Sequence, residues 1–132
     1  MNTNTDSASG SKDAFQKLFD HIADSWNAGD RTPYVNTCTE DCVYMVPNGE
    51  AIIGTKGIKD FVSAFPDVHT WYTIIEVFGK PELTFVRGKY VIKFPDGSPM
   101  DHGKFICIYA LTDEGEWKQS HTIWNSDVPP QE

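Results

Sequence analysis

Four apolar-rich runs, "VHTWYTIIEVF", "LTFVRGKYVIKF", "MDHGKFICIYAL" and "EWKQSHTIWNS", fill the second half of the chain, and no helical period appears among them. They are parted only by "GKPE", "PDGSP" and "TDEGE", all turn-forming chemistry. Long strands joined by such short turns pair with their sequence neighbours, which makes an antiparallel meander. One face of that sheet must be buried, and the material to cover it lies upstream.

Upstream the period changes. Phe15, Leu18, Phe19, Ile22, Ala23 and Trp26 fall on one stripe at helical spacing, and Gly29 stops the helix. "DRTPY" offers Thr32 as cap and Pro33 as first residue of a short second helix ending near Glu40. "CVYMVP" reads as a strand, "NGE" as a turn with Asn48 in it, and "AIIG" as a second short strand. In "GTKGIKDFVSAFP", Thr55 caps a third helix, Ile58, Phe61, Val62 and Phe65 make its stripe, and Pro66 closes it. The expectation is an α+β domain with three helices over one face of a mostly antiparallel sheet.

At 132 residues the chain is one domain, able to bury about two-thirds of its unfolded surface. Residues 1–12 and 129–132 read as tails around a domain spanning 13–128. A net charge of −8 with no basic cluster argues against nucleic acid and against an anionic membrane. The polar start lacks the basic and apolar regions of a signal peptide, and three cysteines without C-x-x-C spacing read as free thiols, so a cytoplasmic protein is expected. His21, His69, His102 and His121 sit on different elements with no metal-ligand spacing. No G-x-S-x-G, G-x-G-x-x-G or P-loop occurs, so neither a metal nor a nucleotide cofactor is expected.

The element order, with "WNAGD", "EDCVYMVPNG", "GTKGIKDF", "VRGKY" and a final "GEWKQSHTIWNSD", resembles the nuclear-transport-factor-2-like superfamily over residues 14–128. More narrowly it is similar to its SnoaL-like and ketosteroid-isomerase-like branch. That resemblance implies a curved sheet wrapped against three helices, a cone or cystatin-like roll with a pocket at its open end. It also implies dimers formed through the outer sheet face.

The ketosteroid isomerases join an Asp base to an oxyanion hole made of a Tyr and a protonated Asp. Their Pro-apolar-Asp-His motif matches "PMDH" here, which puts Asp101 forward as catalytic acid or hydrogen-bond donor. Their base position falls on Val46 and their Tyr on Ile22, both aliphatic, so steroid isomerisation by that route is not expected.

Strand alternation then sends Asp101, Gly103, Phe105 and Cys107 inward and His102, Lys104, Ile106 and Ile108 outward. On the last strand it sends Ser120, Thr122 and Trp124 inward, with His121 and Ile123 outward. Expected ligand contacts are Trp26, Tyr44, Val46, Phe61, Phe65, Tyr90, Phe105, Thr122 and Trp124, with Tyr34 and Asn125 as further polar contacts. Two functions fit: a cofactor-free isomerase, cyclase or dehydratase acting on an apolar carbonyl or polycyclic compound, or a non-catalytic module holding a hydrophobic metabolite. Asp101 with Thr122 or Tyr44 in reach favours the first; a cone without a second acid–base group favours the second. An outward stripe of Ile106, Ile108 and Ile123 predicts a homodimer through that face.

Overall fold

The computed structural model describes residues 3–130. Helices α1 (Thr3–Asn27) and α2 (Thr32–Asn36) precede strands β1 (Cys38–Met45) and β2 (Ile52–Ile53). Helix α3 (Thr55–Ala64) follows, and then the meander β3 (His69–Lys80), β4 (Leu83–Lys93), β5 (Pro99–Leu111) and β6 (Trp117–Ser126). The single sheet has the order β2-β1-β6-β5-β4-β3. Only β1 and β6 run parallel; every other neighbouring pair is antiparallel. Register breaks interrupt four of the five pairings, and bulges of this kind bend and twist a sheet. The α+β architecture expected from the sequence is the one observed. No helix among the described residues is long and apolar enough to cross a membrane.

The stripe of α1 is buried as its spacing requires, with Phe15, Phe19, Ile22, Ala23 and Trp26 all in the core. The helix begins at Thr3, well before that stripe, so residues 3–12 of the expected tail continue it. Extending an existing helix is far less costly than nucleating one, which lets polar residues follow the anchored part. Residues 1, 2, 131 and 132 of the two expected tails lie outside the described residues.

Strand β3 has a neighbour on one side only. The backbone groups along its other edge are met by side chains of α1. Gln16 donates to the Tyr72 carbonyl at 3.0 Å and accepts from the Ile74 N–H at 2.8 Å. Asn27 donates to the Thr70 carbonyl at 2.9 Å and accepts from the Thr70 N–H at 2.8 Å. Just ahead of β3, the Trp26 indole donates to the Val68 carbonyl at 3.0 Å. The helix thereby stands in for a missing strand and protects an edge that would otherwise invite pairing.

Two helix starts differ from expectation. Asp30 Oδ1 accepts the Thr32 N–H at 3.0 Å, so Asp30 does the work expected of Thr32, which is itself the first helical residue. Gly54 rather than Thr55 occupies the N-cap of α3, and the Thr55 hydroxyl instead reaches the carbonyls of Thr39 and Glu40. Helix α2 also stops at Asn36 instead of near Glu40. The cause is tertiary: Cys38 already pairs with Gln119 of β6, whose N–H donates to the Thr37 carbonyl at 2.6 Å.

Arg31 fastens the helices together. Its guanidinium donates to the carbonyls of Val62, Phe65 and Pro66 and lies 4.2 Å from the centre of the Trp26 ring. The last carbonyls of α3 lack helical partners, and a planar cation answers several of them at once.

The edge contacts of α1 give a direct test. Asn27→Ala removes both bonds to Thr70, and the expected loss is on the order of 1–3 kcal/mol, because two backbone groups are left to find water. A lowered urea midpoint at unchanged slope is the expected result. An unchanged midpoint would mean that the α1–β3 edge adds nothing to stability.

Candidate functional site

The buried residues form two groups, one around Phe15, Phe19 and β3–β5, the other around Trp26, Tyr44, Ile58 and Val62. Between them lies a cavity with an open mouth. Trp26, Phe61, Phe65, Tyr90, Phe105, Thr122 and Trp124, expected from the sequence, all line it. So does Tyr34.

Two glycines make the aromatic wall possible. Phe105 is the cross-strand partner of Gly88, and Tyr90 that of Gly103. A Cβ on Gly88 would stand 2.6 Å from the Phe105 ring, and one on Gly103 would stand 2.7 Å from the Tyr90 hydroxyl. A side chain at either place would also meet a backbone carbonyl, that of Thr73 or of Asn125, so neither strand has room for one. Opposite, Phe19 stacks on Phe105 with ring centres 5.4 Å apart.

Four expected residues lie elsewhere. Tyr44 is fully buried among Trp26, Ile58 and Val62, and its hydroxyl meets Cys38 Sγ at 3.3 Å instead of the cavity. Val46 packs on the outside of that same group, since the chain turns away at Pro47 and Asn48. Asp101 sits behind the wall. It accepts the Tyr90 hydroxyl at 2.9 Å and the Ser126 hydroxyl at 2.5 Å, so both its oxygens are engaged by protein donors. Tyr90 is thus the only link between Asp101 and the cavity seen in these contacts. Asn125 points outward and is exposed.

A register break on β6 changes which residues face in. Ile108 pairs with His121 but Tyr109 pairs with Gln119, leaving Ser120 as the extra residue of a bulge. Thr122 and Trp124 keep their expected side, whereas Ser120 is displaced and Gln119 takes the inward place. Strict alternation cannot reveal this. Gln119, Tyr72 and Tyr109 are the polar lining residues of the sheet strands, besides Thr70, that sequence reasoning missed. For Tyr109, two residues beyond Cys107 on the same face, the alternation itself carried the signal.

Among the described residues no Asp, Glu, Lys, Arg or His lines the cavity. Its polar side chains are chiefly phenols and hydroxyls, with one thiol and one amide. Burial pushes the Tyr34 and Tyr109 phenols well above their ordinary value and that of Tyr72 up to about 12. Tyr90 is raised by burial and then by its bond to Asp101. All four therefore stay protonated at neutral pH and act as neutral hydrogen-bonding groups. Burial likewise pushes the Cys107 thiol up to about 12, even with the Thr122 hydroxyl 2.9 Å away. The cavity has neutral donors and no group that would serve as a base.

No protein-family model matches the chain, and no curated protein matches it either. Solved structures do. A ketosteroid isomerase-like protein from Erwinia carotovora atroseptica superposes with a TM-score of 0.68 at 20% identity, over 83% of this chain and 92% of its own. An NTF2-like protein with a cystatin-like fold from Novosphingobium aromaticivorans gives 0.74 at 13% identity, over 88% and 81%. A Catenulispora acidiphila protein in complex with S-DNPA gives 0.66 at 14% identity, over 86% and 90%. The fold is therefore that of the nuclear-transport-factor-2-like, cystatin-like proteins.

The thiols supply a test of the site's surroundings. All three cysteines are free. The Cys42 thiol, followed by the Tyr44 hydroxyl, stabilises the Cys38 thiolate and lowers its pKa against the effect of burial. Cys42 is pushed up by the same bond and by burial. Thiolate is the reactive form, so near neutral pH iodoacetamide is expected to label half-buried Cys38 before Cys42 and Cys107, faster as pH rises. Peptide mass mapping that finds Cys107 labelled first would contradict this account of the cavity wall.

Proposed function

We propose that this protein binds a compact, uncharged, largely apolar small molecule in the cavity, and that the site is built for holding the molecule more than for acid–base chemistry. The observation that carries this is the lining: aromatic rings and hydrogen-bonding groups that are neutral at pH 7, without a carboxylate, imidazole or amine among the described residues. Ligand cavities are commonly apolar with a few polar groups that fix orientation. The S-DNPA complex of the Catenulispora acidiphila protein supports a ligand-holding role for a fold of this shape. Asp101, Thr122 and Tyr44, the trio that would have favoured an enzyme, are engaged with Tyr90 and Ser126, with Cys107, and with Cys38 respectively.

The test uses naphthalene as a neutral apolar probe in equilibrium dialysis. Saturable binding of one probe per chain is expected, and Ile22→Phe, which adds bulk to the lining, is expected to weaken it at least about tenfold, a loss of ~1.4 kcal/mol. Absence of saturable binding by the folded protein would refute the reading.

A catalytic reading rests on one contact. Asp101 accepts the hydrogen of Tyr90, and Tyr90 lines the cavity, so a proton at the phenol is backed by a carboxylate. In this reading the protein is a cofactor-free isomerase, cyclase or dehydratase of an apolar carbonyl compound. Asp101→Asn would then lower turnover while leaving probe affinity unchanged.

The outer sheet face suits a homodimer. Ile106 and Ile123 face each other across β5 and β6, 37% and 47% exposed, and Met45 extends the row on β1. The next row carries Phe78, Phe85 and Ile108. Exposed apolar surface of this extent marks an interaction face. Sedimentation is expected to show a dimer at micromolar concentration, converted to monomer by Ile123→Lys. A monomeric parent protein at that concentration would overturn the dimer.

A further inference from the structure

The geometry points to a head-group site at the Tyr109–Gln119 end of the cavity, for an uncharged ligand group that accepts one hydrogen bond and donates another, as a carboxamide does. This inference rests on the pocket reading above and names the class of molecule that the pocket takes.

Tyr109 and Gln119 are direct partners across β5 and β6, both on the inner face, and only 1% and 6% exposed. The bulge at Ser120 is what turns Gln119 inward. Its Nε2 reaches only Cys38 Sγ, at 3.8 Å, and its Oε1 has no hydrogen-bond partner among the described residues. The Tyr109 hydroxyl has none either. Yet no wholly sealed side-chain oxygen or nitrogen among the described residues lacks a partner. Both atoms therefore face the open space of the cavity. Buried polar groups left unpaired are rare in folded proteins, and two on one cross-strand pair, both lining the cavity, call for a molecule to complete them.

The chemistry of that molecule follows from the pair. Tyr109 remains protonated and offers its hydrogen to a carbonyl oxygen. Gln119 Oε1 offers a lone pair to an N–H or O–H. A primary carboxamide carries both a carbonyl acceptor and N–H donors in one uncharged group. A carboxylate supplies no hydrogen to Gln119 and enters a space with no cation along its wall. An ammonium finds no carboxylate there. The site is remote from the position that sequence reasoning singled out: Asp101 and Tyr109 are eight residues apart on β5, roughly 25 Å along an extended strand. The ligand body then lies against Phe105 and Trp124, on the same inner face of β5 and β6.

Three probes sharing one ring system test this by equilibrium dialysis: naphthalene, 2-naphthamide and 2-naphthoate. With the parent protein, 2-naphthamide is expected to bind at least about fivefold tighter than naphthalene, the scale of one net hydrogen bond. The anion 2-naphthoate is expected to bind more weakly than either. Tyr109→Phe and Gln119→Leu should each bring 2-naphthamide down toward naphthalene, while naphthalene itself changes by less than about twofold. Equal binding of naphthalene and 2-naphthamide by the parent overturns the head-group site but leaves the pocket standing, and needs no variant to decide. Retention of the amide preference in both folded variants overturns it as well. If none of the three probes binds, the pocket reading fails and the head-group site fails with it.

Discussion

The concave side of this protein depends on how α1 meets the free edge of β3. An edge strand carries a row of backbone donors and acceptors, and here Gln16, Trp26 and Asn27 answer that row at Val68, Thr70, Tyr72 and Ile74. These contacts set the helix along the edge at a fixed height, while Phe15, Phe19 and Ile22 reach over the inner face of the sheet. Apolar burial alone would favour closing the gap, because it is non-directional. Directional amide contacts along the edge hold the helix at the height where Phe19 stacks on Phe105 and the cavity opens beside them. The same Trp26 that bonds to β3 also carries Arg31 on its face, so the helical side is tied to the end of α3 through one ring.

The sheet side of the cavity is shaped by where side chains are missing. Gly88 and Gly103 lie opposite Phe105 and Tyr90 in the β4–β5 ladder, a reciprocal exchange of ring and hydrogen on neighbouring pairs. Each ring rests on the backbone of its partner strand, and the wall becomes flat. Glycine costs stability inside a strand, and covering it with an aromatic ring restores some of that loss. The flat wall and the held-off helix together leave a slot lined by rings.

Much of this was legible in the sequence. The four strands of the meander were readable to within a residue or two because alternation persists over ten or more residues between unmistakable turns. The stripes of α1 and α3 were readable from their spacing, and seven of the nine expected ligand contacts line the cavity because they sit on those periodic faces. The failures have two causes: some depend on a partner distant in sequence, others on a local contact that spacing does not show. Cys38 becomes strand because Gln119 pairs with it, and Tyr44 is diverted from the cavity toward Cys38. The polar edge contacts of Gln16 and Asn27 lie beside the apolar stripe, where a pattern reading assigns them to solvent.

The contrast between Asp101 and Gln119 shows why a motif and a site need not coincide. "PMDH" placed Asp101 on the inner face, and alternation kept it there, but orientation does not guarantee access. Tyr90 and Ser126, one strand away on either side, close over its two oxygens. A carboxylate so engaged has its hydrogen-bonding capacity largely met and contributes to joining β4, β5 and β6 at that end of the sheet. Gln119 carries no motif, and alternation put it on the wrong face until a single extra residue at Ser120 reversed it. With one weak contact to sulfur and a free carbonyl oxygen, it retains the unmet capacity that Asp101 lacks. Unmet hydrogen-bonding capacity facing an open cavity is the property that recruits a ligand, and Gln119 with Tyr109 brings it to the cavity wall.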